Sequence, residues 1–108
     1  MQIRKTYKEV SPELLNAEIK DFVLKQGVIL GESKLETYTL PDESASFVSR
    51  STMTFKNAEK ECLRVHMVGS ARDETKLMID VDENLFPKEK LVALQADLDF
   101  IFGAYEKK

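Results

Sequence analysis

A cysteine and a histidine in one extended segment are the first residues that could do chemistry together. A thiolate nucleophile needs an adjacent base, and Cys62 and His66 are four residues apart. Alternate side chains of a strand share one face and each residue rises about 3.3 Å, which places the two α-carbons about 13 Å apart. That separation excludes direct contact. We therefore expect a half-exposed cysteine and a surface histidine rather than a catalytic pair.

Three polar residues follow the spacing that opens a calcium-binding loop, namely Asp80, Asp82 and Asn84. Such a loop requires glycine at its sixth position and a bidentate glutamate at its twelfth. Leu85 and Leu91 stand at these positions instead. We therefore predict no metal site and no cofactor, and we interpret these residues as the polar end of a strand.

Three small hydroxyl residues, Thr37, Ser49 and Ser51, occupy positions where valine or isoleucine would be usual in a sheet core. Small side chains leave room either for the close approach of a helix or for a cavity with apolar walls. A small hydrophobic ligand could occupy such a cavity, or the hydroxyls could bond to neighbouring groups beneath packed helices. The predicted pocket lining consists of Thr37, Phe47, Ser49, Ser51, Met53, Val65, Met67 and Ile79.

A second apolar strip lies on the back of the predicted last helix. Phe100 falls about 180° from Leu91 at 100° per residue, and Val92, Ala93 and Ala96 lie near it. An apolar strip that does not face the core needs a neighbour. We expect the first helix to cover it, and a second copy of the chain is the alternative. These four residues are the predicted interface.

Composition limits the class of protein. A chain of 108 residues can bury about two-thirds of its surface around one core, so we predict a single globular domain over residues 1–108. Sixteen basic and nineteen acidic residues give a net charge of −3, which argues against nucleic acid as a partner. No apolar run is longer than Leu91–Leu94, which predicts no membrane span, and no apolar run follows the first five residues, which predicts no secretory signal. A lone cysteine fits the reducing cytoplasm.

Two segments have the spacing of amphipathic helices. Ser11 is a typical N-cap and Pro12 a typical first residue, and Gly27 marks the end of the first helix. Pro87 and Gly103 bracket the second. The apolar positions with helical spacing are Leu15, Ile19, Phe22 and Val23 in the first helix, and Leu91, Leu94, Leu98, Ile101, Phe102 and Tyr105 in the second.

Between the helices the apolar period changes from 3.6 to 2, which indicates four antiparallel strands after a first strand near Ile3. Matching the apolar faces pairs Met53 with Leu63, Val65 with Ile79, and Leu35 with Ser51. The first strand could lie at either edge. The order β-α-β-β-β-β-α predicts a two-layer α+β sandwich, with a sheet of about five strands and both helices on one face. In outline it resembles a shortened helix-grip arrangement.

The absence of a metal motif, a cofactor fingerprint and a nucleophile–base pair leads us to expect no enzymatic activity. The sequence favours a non-catalytic protein-interaction or regulatory module that binds a protein partner or itself. The outer sheet face or the strip around Phe100 would serve as its binding surface. The alternative is a small hydrophobic-ligand binder with its pocket between the sheet and the last helix.

Overall fold

The fold is an antiparallel sheet with two helices on one face, which confirms the predicted α+β class. The computed structural model describes residues 1–39, 47–70 and 74–107. Pro41, Asp42, Glu43 and Ser44 are residue types that predict a turn, and this turn lies outside the described residues. The strands are β1 (Gln2–Lys8), β2 (Ile29–Thr39), β3 (Phe47–Asn57), β4 (Lys60–Gly69) and β5 (Glu74–Val81). The helices are α1 (Pro12–Leu24) and α2 (Lys88–Phe102), followed by a 3-10 turn at Gly103–Tyr105.

Both helices begin where their signals predict and α2 ends at its C-cap Gly103, but α1 ends at Leu24, three residues before Gly27. Residues 25–27 form a turn instead, in which Gly27 has φ 89°. The Ser11 hydroxyl accepts a hydrogen bond of 3.2 Å from the Leu14 backbone N–H, which satisfies one of the free donors at the start of α1. Pro87 precedes α2, and Gly103 caps it at the other end. Neither described helix is long and apolar enough to cross a lipid bilayer.

The core lies between the inner face of the sheet and the two helices. Each helix turns one stripe toward the sheet, and the sheet supplies the alternate residues of its strands. The buried residues of the helices are Pro12, Leu15, Ile19 and Val23 in α1, and Leu91, Leu94, Leu98 and Phe102 in α2. Ile101 and Tyr105, which were expected on the same face, are 40% and 48% exposed. Tyr105 leaves the α-helical spacing because a 3-10 turn begins at Gly103.

The first strand pairs with β5, so the sheet order is β1-β5-β4-β3-β2. The Tyr7 ring packs edge-on against Phe102, with ring centroids 5.9 Å apart. On the other side of β1, the Lys107 N–H donates to the Thr6 carbonyl at 2.7 Å, and Tyr7 forms an isolated bridge with Glu106. One edge of the sheet is therefore partly occupied by the chain's own C-terminal segment. At the other edge, β2 has one strand neighbour among the described residues.

The predicted register is correct between β2 and β3 and between β4 and β5, where Leu35 pairs with Ser51 and Val65 with Ile79. It is wrong by two residues between β3 and β4, where Met53 pairs with Val65 instead of Leu63. Two local features cause the difference. A tight two-residue turn connects the strands, and a register shift follows between Phe55 and Lys56. A shift of two keeps the paired side chains on their predicted faces, whereas Cys62, which has no partner on β3, departs from its predicted face.

The turn between β3 and β4 uses two residues that have side chains at positive φ. Ala58 has φ 53° and Glu59 has φ 69°, as the type I′ hairpin turn requires. This region costs an L-residue roughly 1–2 kcal/mol because its Cβ approaches the carbonyl oxygen. Glycine carries no such cost and is the preferred second residue of this turn.

We expect Glu59→Gly to raise the free energy of unfolding by about 0.5–1 kcal/mol, after the entropy of a more flexible unfolded chain is subtracted. Glu59→Ala is the matched control, because it removes the same carboxylate and leaves the strained φ in place. Urea denaturation of the three proteins measures the difference. Equal stability of the glycine and alanine variants would contradict the argument from backbone strain.

Candidate functional site

Cys62 and His66 do not form a site. The register shift between Phe55 and Lys56 leaves Cys62 without a strand partner on β3 and turns it inward, so the expected half-exposed cysteine is instead 1% exposed. Its Sγ donates to the Phe55 carbonyl at 3.5 Å. Burial raises the pKa of the thiol, which disfavours the reactive thiolate. His66 is half-buried on the outer face, with Nδ1 3.1 Å from the Thr52 hydroxyl.

The carboxylates near the end of β5 are engaged with neighbouring protein groups. The Gln2 amide donates to Asp80 Oδ1 at 2.9 Å, and the Asn84 N–H donates to Asp82 Oδ1 at 3.0 Å. Arg64 lies opposite Asp80 in the sheet but forms its ion pair with Glu61, at 3.0 Å. Within residues 1–39, 47–70 and 74–107, no three His, Cys, Asp or Glu side chains are arranged to hold a metal ion.

The predicted hydroxyl patch lies under the first turns of α1. The Ser49 hydroxyl donates to Glu13 Oε1 at 2.6 Å and lies 3.1 Å from the Thr37 hydroxyl. The Ser51 hydroxyl donates to Asn16 Oδ1. Ser49 and Ser51 are buried, whereas Thr37 is exposed. Each buried hydroxyl therefore has a protein acceptor, as a polar group beneath a packed helix requires.

The other predicted lining residues belong to the close-packed core. Met53, Val65, Met67 and Ile79 are at most 1% exposed. The side chain of Phe47 lies outside the described residues. The surface cavities at the end of β5, beside the 3-10 turn and on the outer face of β1, β4 and β5 are not bordered by any of the predicted lining residues. A ligand pocket at this place stays a prediction, and the observed hydrogen bonds account for its polar groups without a ligand.

Glu13 and Asn16 are the residues of this patch that the sequence did not reveal. They are three positions apart on α1, so they share one side of the helix beside buried Leu15. The sequence alone accounts for Glu13 as an acidic residue in the positively polarised first turn of α1, so it does not point to a contact with the sheet. The signal available in the sequence was a polar pair with helical spacing opposite small hydroxyl residues. The hydrogen bond from Ser49 is the main cause that lowers the pKa of Glu13.

The apolar strip on the back of α2 is open to solvent. Phe100 is 90% exposed and Val92 is 53% exposed, with Ala93 and Ala96 exposed between them. The expectation that the first helix covers this strip is therefore wrong. We call the four residues Val92, Ala93, Ala96 and Phe100 the α2 strip.

The position of α1 explains why the α2 strip stays open. Lys90 Nζ donates to the Gln26 carbonyl at 2.6 Å, and Asp97 lies beside the Glu18 carboxyl group. Lys90 and Asp97 are seven residues apart and lie on one flank of α2, about 60–80° from Phe100 around the helix. The first helix thus contacts the flank of α2 rather than its back. The proximity of Asp97 also raises the pKa of Glu18.

Comparisons with protein-family models, with curated proteins and with solved structures found no match. The resemblance of the element order to a helix-grip outline is therefore an analogy of topology. The arguments for function come from the exposed surfaces of this chain.

The two serine contacts differ in charge and therefore in their expected response to pH. We expect Ser49→Ala to lower the free energy of unfolding by about 1 kcal/mol at pH 7, because it removes a hydrogen bond to an ionised carboxylate. The pKa of Glu13 is lowered in the folded state, so this stabilisation is complete above its ordinary value of 4.5 and is lost as the pH falls below it.

Ser51→Ala is the matched control, since its partner Asn16 carries no titrating group. Urea denaturation of both variants at pH 7 and pH 3 measures the effect. The destabilisation by Ser49→Ala should shrink at pH 3, and that by Ser51→Ala should stay the same. A Ser49→Ala effect that does not change with pH would contradict the assigned contact.

Proposed function

We propose that this chain is a non-catalytic protein-interaction module that binds an apolar helical segment of a partner protein along the α2 strip. The observation that carries the proposal is the exposure of Phe100, which is 90% accessible on a helix whose opposite face is buried. Exposure of a large aromatic side chain to water costs free energy, and its burial by a partner is favourable. Aromatic anchors of this kind dominate the energetics of protein interfaces.

The spacing of the strip suits a helical partner. Ala93, Ala96 and Phe100 are separated by three and four residues, and Val92 lies four residues before Ala96. These positions span about 100° of the helix circumference, the width of one helix-packing face. The alanines make a shallow groove between the larger side chains of Val92 and Phe100. A partner helix could place a large apolar residue in this groove and lie close to the α2 backbone.

The residues around the α2 strip are typical of a protein–protein interface rather than of an exposed part of the core. Polar residues border it, because Glu89 and Asp99 are exposed at its two ends. An apolar centre with a polar rim is the usual anatomy of a protein–protein interface. Asp99 is engaged by Lys5 at 3.2 Å, so the Glu89 carboxylate is the charge that favours a partner with a basic residue beside its apolar face. We place the module in the cytoplasm, where the unpaired buried thiol of Cys62 would stay reduced.

Replacement of the anchor residue tests the proposal. Phe100→Glu keeps a good helix-forming residue in place but sets a charge in the strip, so we expect binding to fall at least tenfold while thermal stability changes little. The measurement is quantitative capture from an extract of the source cells, with wild-type and variant proteins immobilised in parallel and bound proteins counted by mass spectrometry.

Leu14→Glu is the matched control. Leu14 is 54% exposed on α1, outside the strip, so this variant introduces the same charge at another apolar surface position. Proteins retained by the wild type and by Leu14→Glu but lost with Phe100→Glu would support the proposal. Identical protein sets on all three surfaces would overturn it.

A further inference from the structure

The free edge of β2 is a surface that the proposed function does not use. β2 is eleven residues long, and its only strand neighbour among the described residues is β3. Its outer edge presents backbone N–H and C=O groups that another strand could pair with. From Ser33 to Thr39 the pairing with β3 runs without a bulge, so this segment is a regular strand edge.

The residues of this edge form complementary pairs at equal distances from Leu35. Lys34 and Glu36 stand on either side of it and share the outer face of the sheet, and Ser33 and Thr37 stand one step further on the inner face. Charged side chains, lysine above all, often protect the edges of natural sheets against pairing with another strand. Here the two charges have opposite sign and equal distance from the centre. A second copy that approaches antiparallel therefore meets complementary charges.

We propose that two copies of this chain associate through β2, antiparallel and with Leu35 at the two-fold axis, so that their sheets join into one continuous sheet. In this register Lys34 lies directly opposite Glu36 of the second copy, and the reciprocal pair forms on the other side of the axis. Directly opposed side chains in an antiparallel pair are about 5 Å apart at Cβ, close enough for an ion pair. Ser33 lies opposite Thr37 of the second copy, where their hydroxyls can hydrogen-bond.

The charges select this register over its neighbours. A shift of two residues in one direction sets Lys34 against Lys34 of the second copy, and a shift in the other direction sets Glu36 against Glu36. Like charges directly opposite each other destabilise a strand pair. A shift by one residue would place inner-face side chains against outer-face ones, which a two-fold axis through the sheet does not allow. The register centred on Leu35 is the one in which both charged pairs attract.

The side chains at this edge are available for such contacts. The side chain of Lys34 is 73% exposed and that of Glu36 is 38% exposed, and they form an ion pair of 3.3 Å within the chain. Tyr38 donates a hydrogen bond of 2.6 Å to Glu36 and holds the carboxylate on the outer face. Leu35 is 45% exposed on the inner face, so a second Leu35 against it would bury apolar surface that the monomer leaves in water.

The opposite edge of the sheet explains why the association would stop at two copies. There the Lys107 N–H is bonded to the Thr6 carbonyl, and Tyr7 is bridged to Glu106. This covering segment blocks part of the β1 edge. Pairing of β2 with β2 is isologous, so it closes on itself and leaves no repeating contact from which a fibre could grow.

Charge exchange tests the proposal, with sedimentation velocity as the measurement. The wild type should be dimeric at about 100 μM, a concentration set by the modest strength expected of a short strand pair. Glu36→Lys sets two lysines against each other and Lys34→Glu sets two glutamates against each other, so each variant alone should self-associate at least tenfold more weakly. An equimolar mixture of the two variants restores every attractive pair and should form a heterodimer.

Glu83→Lys and Lys88→Glu are matched controls, because they change the net charge by the same amounts at exposed positions away from β2. Both should remain dimeric. A wild type that stays monomeric up to about 1 mM would overturn the proposal, as would a dimer that tolerates both β2 variants. A dimer that Phe100→Glu dissociates and the β2 variants do not would move self-association to the α2 strip.

The β2 proposal and the proposed function can therefore fail separately. Partner capture depends on Phe100, whereas sedimentation of the purified protein depends on Lys34 and Glu36. A variant with both charge changes, K34E together with E36K, should again dimerise, because the exchanged charges remain complementary about Leu35. If the double variant self-associates as weakly as the two single variants, the proposed register is wrong.

Discussion

The limited width of the helix layer is the constraint on which the exposed surfaces of this protein depend. Two packed helices are about 20 Å across, and strands lie about 4.8 Å apart, so two helices cover about four strands. The sheet has five. Tyr7 and Phe102 join β1 to α2, and Ser49 and Ser51 join β3 to α1. The inner face of β2 is left at the margin.

The same constraint decides which residues of the helices become polar contacts and which become surface. The first helix lies over the border between covered and uncovered strands, so its margin needs hydrogen-bonding groups as well as apolar ones. Glu13 and Asn16 meet the serines there. The second helix has the core beneath it and α1 on one flank, so its back faces solvent, with Phe100 at the centre. The β2 edge and the α2 strip are thus both exposed because the layer of two helices is narrow.

Periodicity in the sequence was sufficient for the class of fold, for the start of each helix and for the face on which most strand residues lie. Side-chain contacts across the helix layer were not predictable, because periodicity assigns Glu13 to a helix without indicating which strand lies below it. The burial of Cys62 depended on a single inserted residue in β4, which the alternation of side chains does not reveal. Gly69, a residue type typical of loops, ends β4, where a Cβ would come within 2.4 Å of the Thr75 backbone. Coverage of Phe100 depended on the angle between two helices, which apolar spacing alone leaves open.

The covering of β1 also has a consequence for the order in which the molecule assembles. The β2–β3 and β4–β5 pairs join neighbouring segments, whereas Lys5 reaches Glu106 across a separation of 101 residues. Closing so long a loop costs entropy that only a nearly complete partner surface offsets. On a ribosome, β1 is synthesised before its partners β5 and α2. Until they pair, β5 is an open edge and Phe102 lacks the Tyr7 ring against which it packs, so the newly made chain is most exposed to misassembly before the segment around Glu106 has emerged.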